Sequence, residues 1–401
     1  MNNQELIKSL SIPSSSKIVL LVIDGLGGLP NPKTGKTELE TAKKPNLDKL
    51  AAEGVCGLSD PVGPGITPGS APGHLALFGY DPVACNIGRG ALEAVGIDFD
   101  LRPGDVAARG NFCTVDKAGN VTDRRAGRIP TEKCAELCRL LDGQVIDGVK
   151  IFVLPVIDYR FILVFRGENL SPELNDTDSQ QTDVPPLAVV AQSPDAERTA
   201  GIANKFIAKA KVILANQHPA NMMLLRGFSE RPHFPSMEEI YKLKPAAIAA
   251  YPMYRGLARL VGMEVLETGS KIKDEFKTLT ERYADYDFIF MHIKGGDSAG
   301  EDGDFDRKVA VIEELDTFLP QLTSLNPDVI MVTGDHSTPA LMKGHSWHPV
   351  PALIWGKYCR ADKVTQFGES YCLSGGLGRL SATQLMPLAM ANALKLNKFG
   401  A

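Results

Sequence analysis

Acidic and histidine side chains follow several apolar runs along this sequence of 401 residues. Asp24 follows the apolar residues 18–23, and the pair Asp335-His336 follows the apolar residues 329–332. Because ligand sites in parallel sheets lie at the carboxyl ends of the strands, we expect these side chains to lie close together. Carboxylate oxygens suit Mg²⁺ and Mn²⁺, and imidazole nitrogens suit Mn²⁺ and Zn²⁺. The pattern therefore predicts a site for two divalent metal ions, with the candidate ligands Asp24, Asp297, Glu301, Asp335, His336 and His345.

Ser70 lies in a turn rich in glycine and proline, at residues 67–73, that leads into a helical stretch at 74–78. The start of a helix stabilises negative charge, and a nearby metal ion would lower the pKa of the serine hydroxyl. These two conditions favour a serine nucleophile. The simpler alternative is that Ser70 only caps the helix, as a single aspartate after a strand also often does.

A second group of polar side chains can bind a small anion, and it contains Arg124, Arg125, Arg128, Arg255 and Arg259. The first three stand within five residues, and arginine binds phosphate and carboxylate through two parallel hydrogen bonds. The alternative for these three is a solvated charged turn. Arg255 and Arg259 are four residues apart on one helix face, so either a substrate contact or a surface helix explains them.

The elements that carry these residues indicate an α/β fold. Short apolar strands are predicted at 17–23, 288–293, 328–332 and 351–355, and they alternate with amphipathic helices such as 305–318. This alternation is typical of a doubly wound sheet with its site at the strand ends. The middle of the chain has shorter strand candidates and a polar segment at 167–183. We therefore expect a smaller α+β domain at 104–239, inserted into an α/β domain formed by 1–103 and 240–401.

Composition excludes several classes of function. Forty-three basic and forty-eight acidic side chains leave a formal charge of −5, which argues against nucleic acid or anionic membranes as partners. The seven cysteines are scattered, which predicts reduced thiols. The apolar run at 18–23 is too short for a signal peptide, and no run is long enough to span a membrane. We therefore expect a cytoplasmic protein whose partner is a small molecule. The sequence does not indicate an oligomeric state.

Taken together, these motifs resemble the cofactor-independent phosphoglycerate mutases, in particular their archaeal-type branch within the alkaline phosphatase superfamily. The resemblance extends over nearly the whole chain. Its most specific segments are VLLVIDGLGGLP, TPGSAPGHLALFGYDP, NFCTVD, DRRAGR, GLARLVGM, HIKGGDSAGEDGD and VTGDHSTPALMKGHSWHPVP. The implied fold is an alkaline-phosphatase-like metal domain with an inserted domain that clamps the substrate.

The resemblance also implies a mechanism that interconverts 3-phosphoglycerate and 2-phosphoglycerate without 2,3-bisphosphoglycerate. Ser70 matches the nucleophile that becomes phosphoserine, and Lys294 would bind the phosphoryl oxygens. The inserted domain would trap the glycerate, with Asp123 as an orienting group or base. One metal site matches Asp24, Ser70, Asp335 and His336, and the other matches Asp297, His345 and position 301. His74, four residues after Ser70, is expected to be structural or to support the ligands from behind rather than to be catalytic. The remaining histidines, at 218, 233, 292 and 348, are expected to be structural.

One residue departs from the family pattern. The family has histidine four residues after the aspartate of the second site, whereas this chain has Glu301. Four carboxylates would then balance the charge of two divalent ions, so the centre attracts a phosphate dianion less strongly. Glutamate also favours Mg²⁺ or Mn²⁺ over Zn²⁺, with Co²⁺ as a further alternative. We expect Glu301 to bind metal with altered preference; the alternative is an incomplete site with poor activity.

Two other functions remain open from the sequence. The first is another metal-dependent phosphatase or phosphomutase on the same scaffold, acting on a small phosphorylated metabolite. The second is a metal- or phosphate-binding protein without catalytic activity.

Overall fold

The computed structural model describes residues 3–85 and 87–400. In chain order, the strands are β1 (Ile18–Ile23), β2 (Val55–Asp60), β3 (Val106–Val115), β4 (Val121–Asp123), β5 (Val145–Ile146), β6 (Val149–Ile157), β7 (Arg160–Arg166), β8 (Met222–Ser229), β9 (Pro245–Ile248), β10 (Glu264–Leu266), β11 (Phe288–Ile293), β12 (Val329–Thr333), β13 (Val350–Gly356) and β14 (Gly378–Ser381). The α-helices are α1 (Asn3–Leu10), α2 (Glu38–Thr41), α3 (Pro45–Glu53), α4 (Ser70–Leu77), α5 (Arg89–Gly96), α6 (Thr131–Leu141), α7 (Glu197–Leu214), α8 (Met237–Tyr241), α9 (Pro252–Leu260), α10 (Ile272–Arg282), α11 (Gly295–Asp302), α12 (Phe305–Ser324), α13 (Glu369–Cys372) and α14 (Leu385–Asn392).

The chain divides into two compact units, unit 1 at 1–86 with 234–401 and unit 2 at 87–233. The sequence placed the divisions near 103 and 240. The first division comes earlier because α5 packs on β3 and β8, which belong to unit 2. The sequence shows that a helix has an apolar face, but it does not show which sheet packs on that face.

Unit 1 contains an eight-stranded sheet in the order β10-β9-β11-β1-β12-β13-β2-β14. The pairings from β10 through β12 are parallel, whereas β13 runs antiparallel to both of its neighbours. Every residue of β1, β11 and β12 is buried, as expected for strands covered on both faces. The mixed α/β class and the predicted strands at these positions are confirmed, with ends shifted by one or two residues.

Unit 2 is built on antiparallel strands in the order β4-β3-β7-β6-β5, with β8 also paired to β3. The apolar residues 149–165 form a hairpin of β6 and β7. Helices α6 and α7 pack with these strands around a separate apolar core.

Two further features concern the molecule as a whole. The seven cysteines are free thiols, as the sequence predicts. Among the helices of the described residues, none combines the length and the apolar character needed to cross a membrane.

Candidate metal centre

Three neighbouring parallel strands deliver the predicted ligands to one edge of the sheet in unit 1. Asp24 directly follows β1, Asp297 lies in the first turn of α11 just after β11, and Asp335 lies two residues beyond β12. Since β11, β1 and β12 are adjacent and parallel, their carboxyl ends lie side by side. The sequence therefore places these residues correctly at the carboxyl edge.

The first ligand group consists of Asp24, Asp335 and His336, which offer atoms within 4.8 Å of one another. All three side chains are buried. Oδ1 of Asp335 accepts a hydrogen bond from the Gly25 amide at 3.2 Å. In contrast, Oδ2 of Asp335 and Oδ1 of Asp24 are buried without a hydrogen-bond partner. Buried acceptors without donors are costly, and a cation between them would satisfy both.

The second ligand group consists of Asp297, His336 and His345, so the two groups share His336. Thr338, whose role the sequence pattern does not indicate, links them, because its hydroxyl donates to Oδ1 of Asp297 at 2.9 Å. The Thr338 oxygen then accepts from Nδ1 of His336, also at 2.9 Å. Nδ1 of His345 donates to the Pro68 carbonyl at 2.9 Å. Both histidines therefore use Nδ1 as a hydrogen-bond donor and direct Nε2 towards the other candidate ligands.

Ser70 begins α4, and its hydroxyl lies 3.2 Å from Nε2 of His336. The residue in the capping position is Gly69, and no side chain caps this helix. The helix thus starts four residues earlier than predicted. The interpretation of Ser70 as a simple cap does not hold, because its hydroxyl is directed to the ligand that both groups share.

Lys294 lies between the two groups. Its ammonium contacts Oδ2 of Asp24 at 2.9 Å and forms an ion pair with Asp297. Burial alone would lower the pKa of Lys294, but the two carboxylates outweigh burial and raise it above its ordinary value. The lysine is therefore a fixed positive charge at the centre.

Electrostatic coupling also shifts the pKa of two candidate ligands. Burial tends to raise the pKa of Asp297, but the hydrogen bond from His345 and the charge of Lys294 hold it well below its usual range. Burial tends to lower the pKa of His345, but Asp297 and the Pro68 carbonyl raise it to about 9. The lowered pKa means that the Asp297 carboxylate stays ionised, and the raised pKa means that the His345 imidazole faces negative charge.

An aromatic cluster lies behind Asp24, and the sequence pattern does not indicate a chemical role for it. Tyr254 is buried and donates a hydrogen bond to Oδ2 of Asp24 at 2.5 Å. Its ring stacks on His292 with 3.6 Å between centroids and lies 4.8 Å from His74. Nδ1 of His74 donates to the Ser70 carbonyl at 2.8 Å, which agrees with the expected structural role of His74.

Glu301 lies at the margin of the centre. Its side chain is 56% exposed, and Oε1 is 4.0 Å from Nε2 of His345. It does not belong to either compact ligand group among the described residues. The carboxylate is therefore close to the second group without being held there.

The predicted anion-binding arginines lie in different parts of the chain. Arg124 binds both oxygens of Asp178, at 2.9 and 2.7 Å. Asp123 accepts hydrogen bonds from the backbone amides of Arg125 and Gly127, which shapes the turn that carries the arginine cluster. The cluster residues Asp123, Arg124, Arg125 and Arg128 all belong to unit 2.

Arg255 and Arg259 lie on α9 in unit 1. Arg255 pairs with the exposed carboxylate of Glu267 at 2.8 Å.

Known proteins resemble the chain along its whole length. The family described as 2,3-bisphosphoglycerate-independent phosphoglycerate mutase matches residues 51–221. A relative from Aquifex aeolicus, named "Probable 2,3-bisphosphoglycerate-independent phosphoglycerate mutase", is 51% identical and covers 99% of this chain and 100% of its own length. The solved structure of a Pyrococcus horikoshii protein has a TM-score of 0.84 at 31% identity, covering 97% of this chain and 100% of that one. The cofactor-independent phosphoglycerate mutase from Thermoplasma acidophilum has a TM-score of 0.74 at 31% identity, covering 94% and 100%.

Proposed function

Because the chain belongs to the 2,3-bisphosphoglycerate-independent phosphoglycerate mutase family, we propose that it interconverts 3-phosphoglycerate and 2-phosphoglycerate through a phosphoserine at Ser70. This membership confirms the resemblance indicated by the motifs. The observation that carries the proposal is the Ser70 hydroxyl, 3.2 Å from the imidazole at which both ligand groups meet. A nucleophile at that point can reach a phosphoryl group held by both groups.

The residues of the centre fit two divalent cations, since unpartnered buried carboxylate oxygens and imidazole Nε2 atoms converge there. We assign Asp24, Ser70, Asp335 and His336 to one cation and Asp297, His345 and Glu301 to the other. This donor set favours Mn²⁺ or Mg²⁺, with Zn²⁺ and Co²⁺ as alternatives. When bound, the ions would neutralise phosphoryl oxygens and lower the pKa of the Ser70 hydroxyl.

The proposed reaction consists of two phosphoryl transfers. Oγ of Ser70 forms a bond to phosphorus while the bond from phosphorus to the substrate oxygen at carbon 3 breaks. The oxygen at carbon 2 of the retained glycerate then takes the phosphoryl group back from Ser70. Lys294 would bind the phosphoryl oxygens, and the start of α4 stabilises their charge. Asp123 would carry the proton from one glycerate hydroxyl to the other.

The substrate carboxylate requires a separate set of contacts. We assign it to Arg124, Arg125 and Arg128, with Arg255 and Arg259 as further contacts for the substrate. In this assignment unit 1 is the alkaline-phosphatase-like metal domain, and unit 2 is an inserted domain that clamps glycerate and excludes water. Water in the centre would release inorganic phosphate instead of 2-phosphoglycerate.

An enolase-coupled assay tests the proposal. We expect 2-phosphoglycerate to form from 3-phosphoglycerate without added 2,3-bisphosphoglycerate, in a scan of Mn²⁺, Mg²⁺, Co²⁺ and Zn²⁺. No signal with any metal would refute mutase activity, and release of phosphate alone would identify a phosphatase.

The nucleophile is tested by Ser70→Ala, which should lower the rate by at least about 1,000-fold and abolish phosphoserine detected by mass spectrometry. Ser236→Ala is the matched control. The Ser236 hydroxyl caps α8 by accepting a hydrogen bond from the Glu239 amide, so its loss should cost about 1 kcal/mol of stability and leave phosphoserine intact. Persistent phosphorylation of the Ser70→Ala protein would exclude Ser70 as the nucleophile.

A further inference from the structure

The two oxygens of Asp24 have different surroundings. Oδ2 accepts hydrogen bonds from the Tyr254 hydroxyl at 2.5 Å and from Nζ of Lys294 at 2.9 Å. Oδ1 has no hydrogen-bond partner and lies 3.4 Å from Nε2 of His336. Protein donors thus occupy one side of the carboxylate, and the other side is left for a cation.

Nε2 of the buried His292 also lies 3.3 Å from Oδ2, but the two hydrogen-bond donors at 2.9 Å or less are Tyr254 and Lys294. Of these two donors, Tyr254 is held more rigidly. Its side chain is fully buried and is packed against His292 and His74. Pro252, in the first turn of α9, fixes the backbone that carries it. Lys294 is a weaker restraint because it is shared with Asp297 and is 31% exposed.

We propose that Tyr254 is a positioning residue of the metal centre, whose hydroxyl holds Oδ2 of Asp24 and thereby directs Oδ1 to the cation. This inference rests on the two-metal centre of the proposed function. Hydrogen bonds to a ligating carboxylate restrict its rotation, and losing such a partner typically weakens metal binding by about 10- to 100-fold. Tyr254 would act on the cation through Asp24, and its hydroxyl also forms a hydrogen bond with the Ser70 side chain.

The test is Tyr254→Phe, which removes one hydroxyl and keeps the buried ring. Mn²⁺ is titrated into the metal-free protein by calorimetry and by electron paramagnetic resonance, with Asp24→Ala and His345→Ala identifying the two binding steps. We expect the Asp24 step to weaken by about 10- to 100-fold while the His345 step changes less than about threefold. We also expect kcat for 3-phosphoglycerate to fall with little change in KM.

The matched control is Tyr251→Phe, since the ring of Tyr251 lies 5.7 Å from that of Tyr254 in the same helix start. This variant should bind Mn²⁺ as the wild type does. Equal weakening of both steps in Tyr254→Phe, or no weakening, would overturn the proposal.

A double variant tests whether Tyr254 acts through Asp24. In the Asp24→Ala background, Tyr254→Phe should cause no further loss of Mn²⁺ affinity, because the group it positions is already absent. A full additional loss would contradict the inference. The failure of the wild type to bind two Mn²⁺ ions would instead refute the proposed function, so the two failures are distinguishable.

Discussion

At the scale of single residues, the centre is organised by the partners of its ligands. Asp335 gives Oδ1 to the Gly25 amide, and Asp24 gives Oδ2 to Tyr254, so each carboxylate presents one remaining oxygen. In the second group, the Thr338 hydroxyl orients both His336 and Asp297, because it is hydrogen-bonded to each of them. The ligand atoms are therefore oriented before any cation binds, which lowers the cost of ordering them.

We predict that Glu301→His changes the metal preference of the second group. An imidazole at this position would add a nitrogen donor beside His345 and remove one negative charge, so Zn²⁺ binding should tighten by about tenfold or more relative to Mg²⁺. Competitive titration of the two metals measures this change. Glu301→Gln is the control for charge alone. Unchanged metal content and rate in Glu301→His would show that position 301 holds no ligand.

Residue types and spacing were enough to predict that the candidate ligands after the strands lie close together. Asp24 directly follows the apolar strand β1, and Asp335 and His336 follow β12 within three residues. Tyr254 could not be found in this way, because Tyr254, Leu257 and Ala258 form the buried face of α9 and look like ordinary packing. Its only signal is that a buried tyrosine hydroxyl needs a partner, and the sequence does not identify that partner.

At the scale of elements, close backbone contacts hold the loops and helix of the centre together. A Cβ atom on Gly73 in α4 would lie 2.2 Å from the Asp335 carbonyl oxygen. Gly25 has φ of +66°, and a Cβ there would lie 2.8 Å from Cα of Asp297. Gly73 thus allows α4 to approach the loop after β12, and Gly25 allows the β1 turn to approach α11.

We predict that Gly73→Ala displaces Ser70 from His336. The added methyl group cannot fit against the Asp335 backbone, so α4 must shift, at a cost of about 1–3 kcal/mol in stability and about 100-fold in rate. Chemical denaturation and the coupled assay measure the two effects. Gly201→Ala in α7 is the control, since a Cβ there meets no atom within 4 Å. Gly201→Ala should stabilise the protein by about 0.5–1 kcal/mol without changing the rate. Unchanged stability and an unchanged rate in Gly73→Ala would contradict the prediction.

Helix α13 is tied to the β1 turn through Glu369, whose carboxylate accepts from the Gly28 amide at 2.8 Å and the Thr37 hydroxyl at 2.6 Å. Burial raises the pKa of Glu369 from its ordinary value of 4.5 to about 7. The Glu369 carboxyl group therefore ionises at a lower pH in the unfolded chain than in the folded protein. As a result, the folded state loses stability as pH rises from about 4.5 to about 7.

We predict that Glu369→Gln removes this loss. Its stability relative to the wild type should increase by about 3 kcal/mol from pH 4.5 to pH 8, measured by urea unfolding at both values. Glu40→Gln is a control of opposite sign. Burial tends to raise the pKa of Glu40, but hydrogen bonds from Ser370 and Thr37 bring it below its ordinary value. The Glu40 variant should lose stability relative to the wild type at the higher pH. If the stability of Glu369→Gln changed with pH in the same way as that of the wild type, the raised pKa of Glu369 would be refuted.

At the scale of the whole molecule, the two units have separate apolar cores. Every candidate ligand lies in unit 1, whereas Asp123 and the arginine cluster lie in unit 2. Alternating strands and helices were enough to indicate the α/β class of unit 1. The division at 86/87 could not be predicted, because the packing of α5 on β3 and β8 is a contact between distant parts of the sequence.

We predict that Mn²⁺ protects unit 1 selectively against hydrogen exchange. At a concentration 100 times its dissociation constant, a bound ion stabilises the state that binds it by about 2.7 kcal/mol. Amides of β1, β11 and β12 should therefore exchange about 100-fold more slowly with Mn²⁺ than with a chelator. Amides of β6 and β7 should be unaffected. Equal protection in both units, or protection that persists in Asp335→Ala, would contradict this prediction.

The position of Lys294 also bears on the order in which the protein matures. Clustered carboxylates repel one another, and a chain without a counter-charge would need its metal early in order to fold. Here the ammonium of Lys294 already lies between Asp24 and Asp297. Under the proposed function, the chain would therefore complete its fold first and take up metal afterwards. The ions would then be lost and replaced as their supply changes, without unfolding the protein.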